Sequence, residues 1–377
     1  MTKQTWRMID TGVRPAAQNM ALNRAILEAH QEGKIPHTLR FLQFKPSALL
    51  GFHQSAEQEL RIDYCKENNI DIQRRMTGGG AIYFDETQIG WELYLDKKAL
   101  GTADMSAIAK KICEAAADGI SRLGVDAKFR PRNDIEVDGK KVSGTGGAFD
   151  GDSILYQGTL LVDFDVEKMM KILRIPAEKL SDKAISSARD RVANLKDLLG
   201  EAPSMALVKK HISEAFAEAF DVEFEENDVL TDLPTDSLAE MLTKEEQELY
   251  EEALSEIDTD EWVYQLNSPA SELPIAQGIY KCKGGLIRAS ISFDKQKNMI
   301  KQVWLTGDYF VTPRRTVNDL EATLKEIPAD QMETKVNAFF EQTEAEMMML
   351  EAADFIAAIN LALDQVKLDQ GKEAEAI

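Results

Sequence analysis

The amino-acid sequence predicts an α+β protein with a large N-terminal domain and a smaller C-terminal domain. Helical and strand periodicity alternate up to about residue 225, an acidic stretch follows, and strand periodicity returns after Trp262. The chain has 377 residues, more than one typical domain needs, and 44% of them are apolar, as in ordinary globular proteins. We predict a large domain over 1–231, an acidic helical connector over 232–260, a small α+β domain over 261–350, and a terminal helix and tail over 351–377.

The large domain is predicted to be a sheet flanked by helices. After Pro15 the segment AAQNMALNRAILEAHQ has helical spacing, TLRFLQF alternates like a strand, and ALLGFHQSAEQEL indicates a strand, a turn and a helix. AIYFD, GWELYLD and ILYQGTLLVDFD predict three more strands. Residues 102–123 form an amphipathic helix, with Thr102 or Asp104 as its N-cap and Gly124 as its stop, and NLKDLL and 205–220 return to helical periodicity.

A tight hairpin is predicted in DIEVDGKKVSG, because Asp138-Gly139 is the sequence preferred where both central residues need positive φ. A two-residue loop then sets the pairing of the two strands. The expected pairs are Val137 with Lys140, Glu136 with Lys141, Ile135 with Val142, and Asp134 with Ser143. Alternation places Asp134, Glu136, Lys141 and Ser143 on one polar face.

The last third predicts a connector and a second domain. Between Asp236 and Ile257 a charged helix with a narrow leucine stripe is predicted to be a solvated connector, the alternative being an interaction tail. GGLIRASISFDKQKNMIKQVWLTGDYF then indicates two strands around a polar turn. Helices are predicted over 317–324 and from 331 to about 350.

Charge and cysteine content exclude several classes of protein. The net charge is −21, but residues 201–260 alone contain 19 acidic and three basic side chains, so the remainder is only mildly acidic and nucleic acid is not an expected partner. Cys65, Cys113 and Cys282 lie far apart and indicate neither a disulfide framework nor a zinc site. The sequence has no signal-peptide pattern and no long apolar span, so we expect a cytoplasmic protein without a membrane role.

Three glycine-containing motifs follow one another, each next to a predicted strand: RRMTGGG at 74–80, KVSGTGG at 141–147 and QGTLL at 157–161. Consecutive glycines let backbone amides approach an anion, and Arg74 and Arg75 offer forked donors for a carboxylate or phosphate. A simple tight turn is the alternative. RRMTGGG is not a Walker loop, because no Lys-Ser or Lys-Thr follows its glycines, and it is not a dinucleotide fingerprint, because the G-x-G-x-x-G spacing is absent.

Lys141 is the candidate catalytic residue. It has a plain alternative, a cross-strand pair with Glu136. The lysine precedes a second glycine-rich loop, and the first such loop carries two arginines. In that setting the lysine would instead hold a carboxylate against a phosphate and neutralise the charge that develops on phosphorus. That arrangement suits acyl adenylation.

The segments RRMTGGGAIYFD, RNDIEVDGKKVSG and QGTLL resemble, in order and approximate spacing, the signature segments of the lipoate-protein ligase family. The resemblance extends to QNMALNRAIL, to ISSARDRVANL at 185–195 and to the C-terminal GGLIRASISF segment, and so covers roughly residues 5–325. It implies a catalytic domain with the fold shared by biotin and lipoate ligases, a mixed sheet flanked by helices and related to class II synthetases. The C-terminal domain resembles the ligases' accessory domain.

The same resemblance implies roles for individual residues. Lys141 matches the central lysine that contacts lipoate and the adenylate phosphate, and Asn133 and Asp134 match a segment near the phosphates and magnesium, with Asp134 as the magnesium ligand. The implied lipoate- and ATP-binding residues are Arg75, Thr77, Gly78, Gly79, Gly80, Asn133, Ser143, Gly144, Gln157, Gly158 and Thr159. The chain departs from the commonest family pattern at Asn23, Phe84, Ala148 and Gln157.

By this resemblance the chain is expected to form lipoyl-AMP from lipoate and ATP with magnesium, and then to transfer lipoate to a lysine of a lipoyl domain. Expected acceptors are a dehydrogenase E2 subunit, the glycine-cleavage H protein or a related carrier. The first alternative is an octanoyltransferase, which takes an acyl group from a carrier through a cysteine thioester and needs no ATP. Its ligase-like relatives carry that cysteine near the RND segment, whereas FRPRNDI has none. The second alternative is a non-catalytic lipoyl-binding protein.

Overall fold

The computed structural model describes residues 3–100, 104–131, 133–174, 189–225, 238–266 and 273–375. The chain divides into two compact units. The N-terminal unit consists of Met1–Leu49, Leu60–Met76 and Ile82–Val263, and the C-terminal unit consists of Leu50–Glu59, Thr77–Ala81 and Tyr264–Ile377. The predicted cap Thr102, residues 185–188 of the ISSARDRVANL segment, and the start of the predicted connector lie outside the described residues.

Strands and helices alternate along most of the chain. The strands are β1 (Gln4–Arg14), β2 (Thr38–Phe44), β3 (Ser47–Leu50), β4 (Asp71–Arg74), β5 (Ile82–Phe84), β6 (Gln88–Asp96), β7 (Ala127–Arg130), β8 (Asp134–Val137), β9 (Lys140–Asp150), β10 (Ser153–Leu161), β11 (Val222–Phe224), β12 (Ile275–Cys282), β13 (Gly285–Asp294), β14 (Met299–Gly307), β15 (Val311–Thr312), β16 (Ile327–Pro328) and β17 (Glu346–Met347). The helices are α1 (Ala16–Gln31), α2 (Ala56–Glu59), α3 (Ile62–Glu67), α4 (Met105–Ser121), α5 (Val166–Ile172), α6 (Leu195–Leu199), α7 (Met205–Phe220), α8 (Leu238–Met241), α9 (Lys244–Ile257), α10 (Asp260–Tyr264), α11 (Thr316–Thr323), α12 (Met332–Gln342) and α13 (Ala352–Glu375).

An eight-stranded mixed sheet, in the order β11-β1-β2-β6-β10-β9-β8-β7, is the scaffold of the N-terminal unit. β1 pairs in parallel with β11 and β2, and the remaining neighbours are antiparallel. Side chains of β6, β10, α4 and α7 form its largest apolar core. Asp104 caps α4 by accepting a hydrogen bond from the Ser106 amide at 2.9 Å, as one of the two predicted caps. The predicted α+β class, with a large mixed sheet flanked by helices, is confirmed.

The sequence pattern does not predict β1, which opens the chain. Trp6 and Met8 join the apolar core, and the polar residues Arg7 and Asp10 of the same strand are buried as well. Asp10 pairs with Lys209 and Arg7 pairs with Glu246, so both faces of the strand are covered. Since its polar residues are buried in ion pairs, β1 lacks the apolar–polar alternation of a strand with one solvated face.

The hairpin of β8 and β9 follows the predicted register only near its turn. Asp138 and Gly139 have positive φ, Val137 pairs with Lys140, and Glu136 pairs with Lys141, as predicted. Beyond this point a β-bulge at Val142 shifts the pairing by one residue, so that Ile135 lies opposite Ser143. The predicted pairs of Ile135 with Val142 and of Asp134 with Ser143 are therefore wrong.

Helix α9 lies within the predicted acidic connector but differs from a solvated element. It packs along α1, and Ala253 and Ile257 are completely buried. Glu246 accepts two hydrogen bonds from Arg7, at 2.8 and 2.6 Å, and completes a capping box with Thr243. Because the acidic residues of α9 outnumber its apolar ones, the sequence pattern does not predict this buried face. The proposed domain boundaries remain a prediction.

The C-terminal unit has its own sheet and core. Its four strands follow the order β12-β13-β14-β16, and β15 pairs with β17. α11, α12 and α13 supply the helical side of an apolar core that includes Ile291, Leu305 and Phe355. The helix predicted from 331 to about 350 ends instead at Gln342, since Glu346 and Met347 form β17. No helix in the described part of the chain is long and apolar enough to cross a membrane.

Glu321 of α11 is an enclosed carboxyl whose protonation should affect stability. Its Oε1 accepts a hydrogen bond from the Leu305 amide at 2.6 Å, and burial raises its pKa to about 7. A carboxyl whose folded pKa is raised stabilises the fold below its unfolded pKa of 4.5, and that contribution is lost as pH rises through about 7. The unfolding free energy of Glu321→Gln, compared with that of wild type, should therefore rise by about 1–3 kcal/mol as the pH is raised from about 5 to about 8.

Urea denaturation at the two pH values measures this difference. Glu326→Gln is the control, because Lys301 lowers the pKa of that exposed carboxyl and its removal should give no gain at the higher pH. A Glu321→Gln variant whose stability follows that of the wild type at both pH values would contradict the prediction.

Candidate active site

Lys141 and Asp134 form an ion pair on the open face of the β8–β9 hairpin. Lys141 Nζ lies 2.6 Å from Asp134 Oδ1, and the two side chains remain 39% and 28% exposed. The predicted alternative partner, Glu136, is instead bound by Arg130 at 2.5 Å. The ammonium group of Lys141 therefore lies at the surface, beside one carboxylate, where a bound anion could contact it.

The backbone of Lys141 is fixed by a second chain segment. Its amide donates to Arg191 O at 2.9 Å, and the Ala193 amide donates to Lys141 O at 2.9 Å. Opposite Glu136 the backbone groups of Lys141 point away from β8, because this is a non-hydrogen-bonded pair of the hairpin. The residues 191–193 satisfy them and so determine where the lysine side chain begins.

The segment KVSGTGG, predicted as a glycine-rich loop, is strand β9, so that prediction is wrong. Its glycines make room for side chains that cross the strand. A Cβ at Gly144 would lie 2.7 Å from Lys141 Nζ, and one at Gly147 would lie 2.9 Å from the Tyr156 ring. The Gly144 amide also donates to Thr159 Oγ1 at 3.3 Å. Lys141, Gly144 and Thr159 therefore lie close together, and their assignment to substrate remains a prediction.

Asn133 is held by hydrogen bonds to Thr145. Its side-chain amide donates to Thr145 O at 2.8 Å, and the Thr145 amide donates to Asn133 O at 2.8 Å. The Thr145 hydroxyl lies 3.1 Å from the Tyr156 hydroxyl and 3.3 Å from Cys113 Sγ, all of them buried. Cys113, Thr145 and Tyr156 were not predicted, because a polar contact beneath a sheet leaves no motif in the sequence.

Two further predicted residues have close packing roles. Ser143 is completely buried, and its hydroxyl has no hydrogen-bond partner in the part of the chain that is described. Gly158 is covered by the Trp91 indole, since a Cβ there would lie 2.2 Å from the ring. Close packing of the Trp91 ring therefore explains the glycine at position 158. Gln157, next to it, is half-buried opposite Glu92.

The arginines of RRMTGGG bind backbone carbonyls. Arg75 is buried and donates to Leu49 O at 2.8 Å, and Arg74 donates to Val263 O at 2.7 Å. Burial lowers the pKa of each guanidinium to about 10. These contacts orient the strand end that precedes the glycines, and the assignment of Arg75 to substrate remains a prediction.

The predicted loop residues Thr77–Gly80 belong to the C-terminal unit. Gly79 has a φ of 90°, which favours glycine, and Thr77 O accepts a hydrogen bond from the Phe52 amide at 2.9 Å. A Cβ at Gly78 would lie 2.3 Å from Tyr309 O. Gly51 and Tyr309 were missed as neighbours of this loop. Their only signal is glycine at 51, where a Cβ would lie 1.8 Å from Gly79 O.

Two departures from the family pattern have structural partners. Asn23 donates to Glu92 Oε1 at 2.6 Å, and Arg40 binds the other oxygen of that carboxylate at 3.0 Å, within a buried polar network. Phe84 packs on Phe44 with ring centroids 4.6 Å apart. Neither position offers a charged group to a ligand.

A magnesium ion fits the site only if a bound nucleotide and water supply most of its ligands. The described residues contain no group of three or more histidine, cysteine or acidic side chains able to hold a metal. Asp134 contributes one carboxylate, which is the common number for magnesium bound mainly through substrate phosphates and water. The donor set therefore suits an ion that arrives with a nucleotide.

A polar cavity of about 520 Å³ lies elsewhere in the N-terminal unit and is lined by His30, His37, Asp96 and Ser153, among others. His30 Nδ1 lies 2.9 Å from Ser153 Oγ, and burial lowers the pKa of His30 to about 4. None of the predicted site residues lines this cavity. It is not the candidate site.

Comparison with known proteins gives a consistent family. A model described as the lipoyl protein ligase A/B catalytic domain matches residues 15–217. An octanoyltransferase LipM from Kyrpidia tusciae is 28% identical over 286 residues, which are 70% of this chain and 99% of that protein. The lipoate-protein ligase A subunit 1 of Thermoplasma acidophilum is 30% identical over 254 residues, 65% of this chain and 90% of that subunit.

Solved structures agree with these relatives. The bi-partite lipoate protein ligase of T. acidophilum, described together with its E2 lipoyl domain, has a TM-score of 0.60 and 27% identity, and covers 72% of this chain and 99% of its own. A lipoate-protein ligase A bound with ATP has a TM-score of 0.57 and 25% identity, over 70% of this chain and 99% of its own. Plasmodium falciparum LipL1 shares the fold at 16% identity, with a TM-score of 0.66 over 91% of this chain and 95% of its own.

Proposed function

The chain belongs to the lipoyl protein ligase A/B catalytic domain family, and from this premise we propose that it is an ATP-dependent lipoate-protein ligase. It forms lipoyl-AMP and then acylates a lysine of a lipoyl domain. The observation that carries the proposal is Lys141, whose ammonium group lies across Gly144 beside Asp134. A similar ligase whose structure is described as bound with ATP supports the nucleotide.

In the first half reaction a carboxylate oxygen of lipoate attacks the α-phosphorus of ATP, and pyrophosphate leaves with the electron pair of the broken P–O bond. Lys141 neutralises the negative charge that develops on the α-phosphate, and Asp134 orients the lysine. Asn133, held by Thr145, offers a polar side chain at the same hairpin. Magnesium bound with ATP would be held by Asp134 and phosphate oxygens and would neutralise charge on the leaving pyrophosphate.

In the second half reaction the acceptor lysine amine attacks the carbonyl carbon of lipoyl-AMP. An amide forms, AMP leaves, and the amine loses a proton to solvent. The acceptor is a lipoyl domain of a dehydrogenase E2 subunit, a glycine-cleavage H protein or a related carrier. The similar bi-partite ligase is described with its E2 lipoyl domain, which supports the first of these.

An octanoyltransferase is the second candidate, favoured by the LipM relatives. One observation argues against it. Cys113, the cysteine next to Thr145, is completely buried, and burial raises the pKa of its thiol. A protonated, enclosed thiol is a poor nucleophile.

Two assays of the purified chain distinguish the candidates. With lipoate, ATP and magnesium, a ligase releases pyrophosphate and accumulates lipoyl-AMP until an acceptor domain is added. With an octanoyl carrier protein and no ATP, a transferase acylates the same acceptor. Acylation that occurs only in the second assay would replace the ligase by the transferase. Binding of lipoate without either reaction would leave a lipoyl-binding protein.

Removing the thiols should leave ligation intact. We expect a Cys65→Ala, Cys113→Ser, Cys282→Ser variant to retain ligation within about threefold of wild type, because neither half reaction uses a thiol intermediate. Serine at 113 keeps a hydroxyl within reach of Thr145 and Tyr156. Acceptor lipoylation, followed by mass spectrometry, measures the result. A folded variant that has lost all transfer would restore the thioester route.

A further inference from the structure

Two loops from the first hundred residues belong to the C-terminal unit: the first loop, Leu50–Glu59, and the glycine loop, Thr77–Ala81. The first loop is attached to the end of β14. The Gly307 amide donates to His53 O at 2.8 Å, and Thr306 Oγ1 donates to Gln58 Oε1 at 2.9 Å. These bonds fix the first loop to a strand of the C-terminal sheet.

The glycine loop lies against the first loop and the residues that follow β14. The Phe52 amide donates to Thr77 O at 2.9 Å, and the Gly79 amide donates to Tyr309 O at 3.4 Å. The backbones approach so closely that a Cβ at Gly78 would lie 2.3 Å from Tyr309 O. The place of the glycine loop is therefore set by contact with backbone atoms of the C-terminal unit.

Tyr309 links this contact to the core. Its ring is completely buried and stacks on the buried ring of His53, with centroids 4.9 Å apart and planes inclined by 25°. The Tyr309 hydroxyl donates to Leu305 O at 2.9 Å, and its ring meets Phe355 edge-on at 5.6 Å. One side chain thus connects the helical core, β14 and the first loop.

We propose that Tyr309 and His53 are positioning residues for the glycine loop. The stack holds the first loop, the first loop and Tyr309 O hold Thr77 and Gly79, and the glycine loop is thereby kept in the conformation that takes the acyl substrate or its adenylate. The inference rests on the proposed function and on the substrate contacts that the family resemblance implies for Thr77–Gly80. It assigns to the C-terminal unit a role in acyl binding, which Tyr309 and His53 exert through the glycine loop.

The experiment compares ring-removing and ring-keeping variants of the full chain. His53→Ala and Tyr309→Ala should raise the KM for lipoate in adenylate formation by about tenfold or more, with a smaller change in kcat, because a displaced loop binds the acyl group poorly. His53→Phe and Tyr309→Phe keep a ring in the stack and should stay within about threefold of wild type. Phe340→Ala is the matched control, since it removes a ring that stacks on Phe355 within the same unit.

Hydrogen exchange gives a readout that does not depend on activity. The amides of Phe52, Gly79 and Gly307 should lose protection in His53→Ala and keep it in Phe340→Ala. Where His53→Ala does not fold, Thr306→Val removes one contact to Gln58 and should raise exchange at Gly307. Normal exchange and normal KM in a folded ring-removing variant would overturn the inference. A wild-type chain that makes no adenylate would overturn the proposed function, while exchange would still decide whether the stack holds the loop.

Discussion

Lys141→Ala is expected to lower lipoyl-adenylate formation by about 100-fold or more, the loss typical of removing a preorganised charge stabiliser. The fold should be preserved, because the side chain is partly exposed and its backbone bonds to Arg191 and Ala193 do not depend on it. Truncation leaves Asp134 without its cation, so nucleotide binding should weaken as well. Pyrophosphate release with lipoate and ATP measures the loss.

Lys140→Ala is the matched control for this change. Lys140 is the neighbouring exposed lysine on the same hairpin, and its replacement should change the adenylation rate by less than about twofold. Wild-type adenylate formation by Lys141→Ala would remove the central assignment. Equal losses in both variants would mean that net charge, and not the placed ammonium group, accounts for the effect.

Glu246→Ala should have the largest effect on stability, a loss of about 3–5 kcal/mol in unfolding free energy, because it leaves the largely buried Arg7 guanidinium without a carboxylate partner. Glu246 is fully enclosed and accepts two hydrogen bonds from Arg7 and one from the Thr243 amide. The same substitution removes the capping box of α9, the helix that packs on α1. The midpoint of urea denaturation measures the loss.

Glu248→Ala, on the exposed side of α9, is the control and should change stability by less than about 0.5 kcal/mol. The double variant Arg7→Met, Glu246→Met should recover much of the loss, since a buried ion pair is often replaceable by apolar side chains. If Glu246→Ala unfolds at the same urea concentration as Glu248→Ala, then α9 contributes little to the fold despite its buried contacts.

Local rules of the sequence predict much of this fold. The positive φ values of Asp138-Gly139 and the Asp104 cap follow from side-chain and turn chemistry within a few residues. Partners distant in the chain explain the failures. β1 is hidden because Arg7 and Asp10 meet Glu246 and Lys209, and the bulge at Val142 depends on pairing that no turn rule includes.

The candidate site divides in the same way. The sequence predicts that Lys141 and Asp134 share a polar face of a hairpin, but it gives Glu136 as the cross-strand partner of Lys141, and the roles of both residues follow only from a family motif. The roles of glycines are harder to predict, because a glycine indicates that another group lies close to the backbone but does not indicate which group. Gly144 has the Lys141 side chain across it, Gly158 has the Trp91 ring, and Gly78 has the Tyr309 backbone. Only the last of these lies in a loop, although all three stand in glycine-containing motifs.

The membership of the two early loops in the C-terminal unit has a consequence for biosynthesis. Gln58 and its partner Thr306 are separated by 248 residues, and Glu59 and Arg288 by 229. A ribosome that adds about 5–20 residues per second needs on the order of ten to fifty seconds to bridge such a distance. Throughout that interval the glycine loop has been translated but has no β14 to rest on. In the nascent chain the proposed acyl-binding loop therefore gains its support only after β14 has been translated, which couples competence for the proposed chemistry to synthesis of the C-terminal unit.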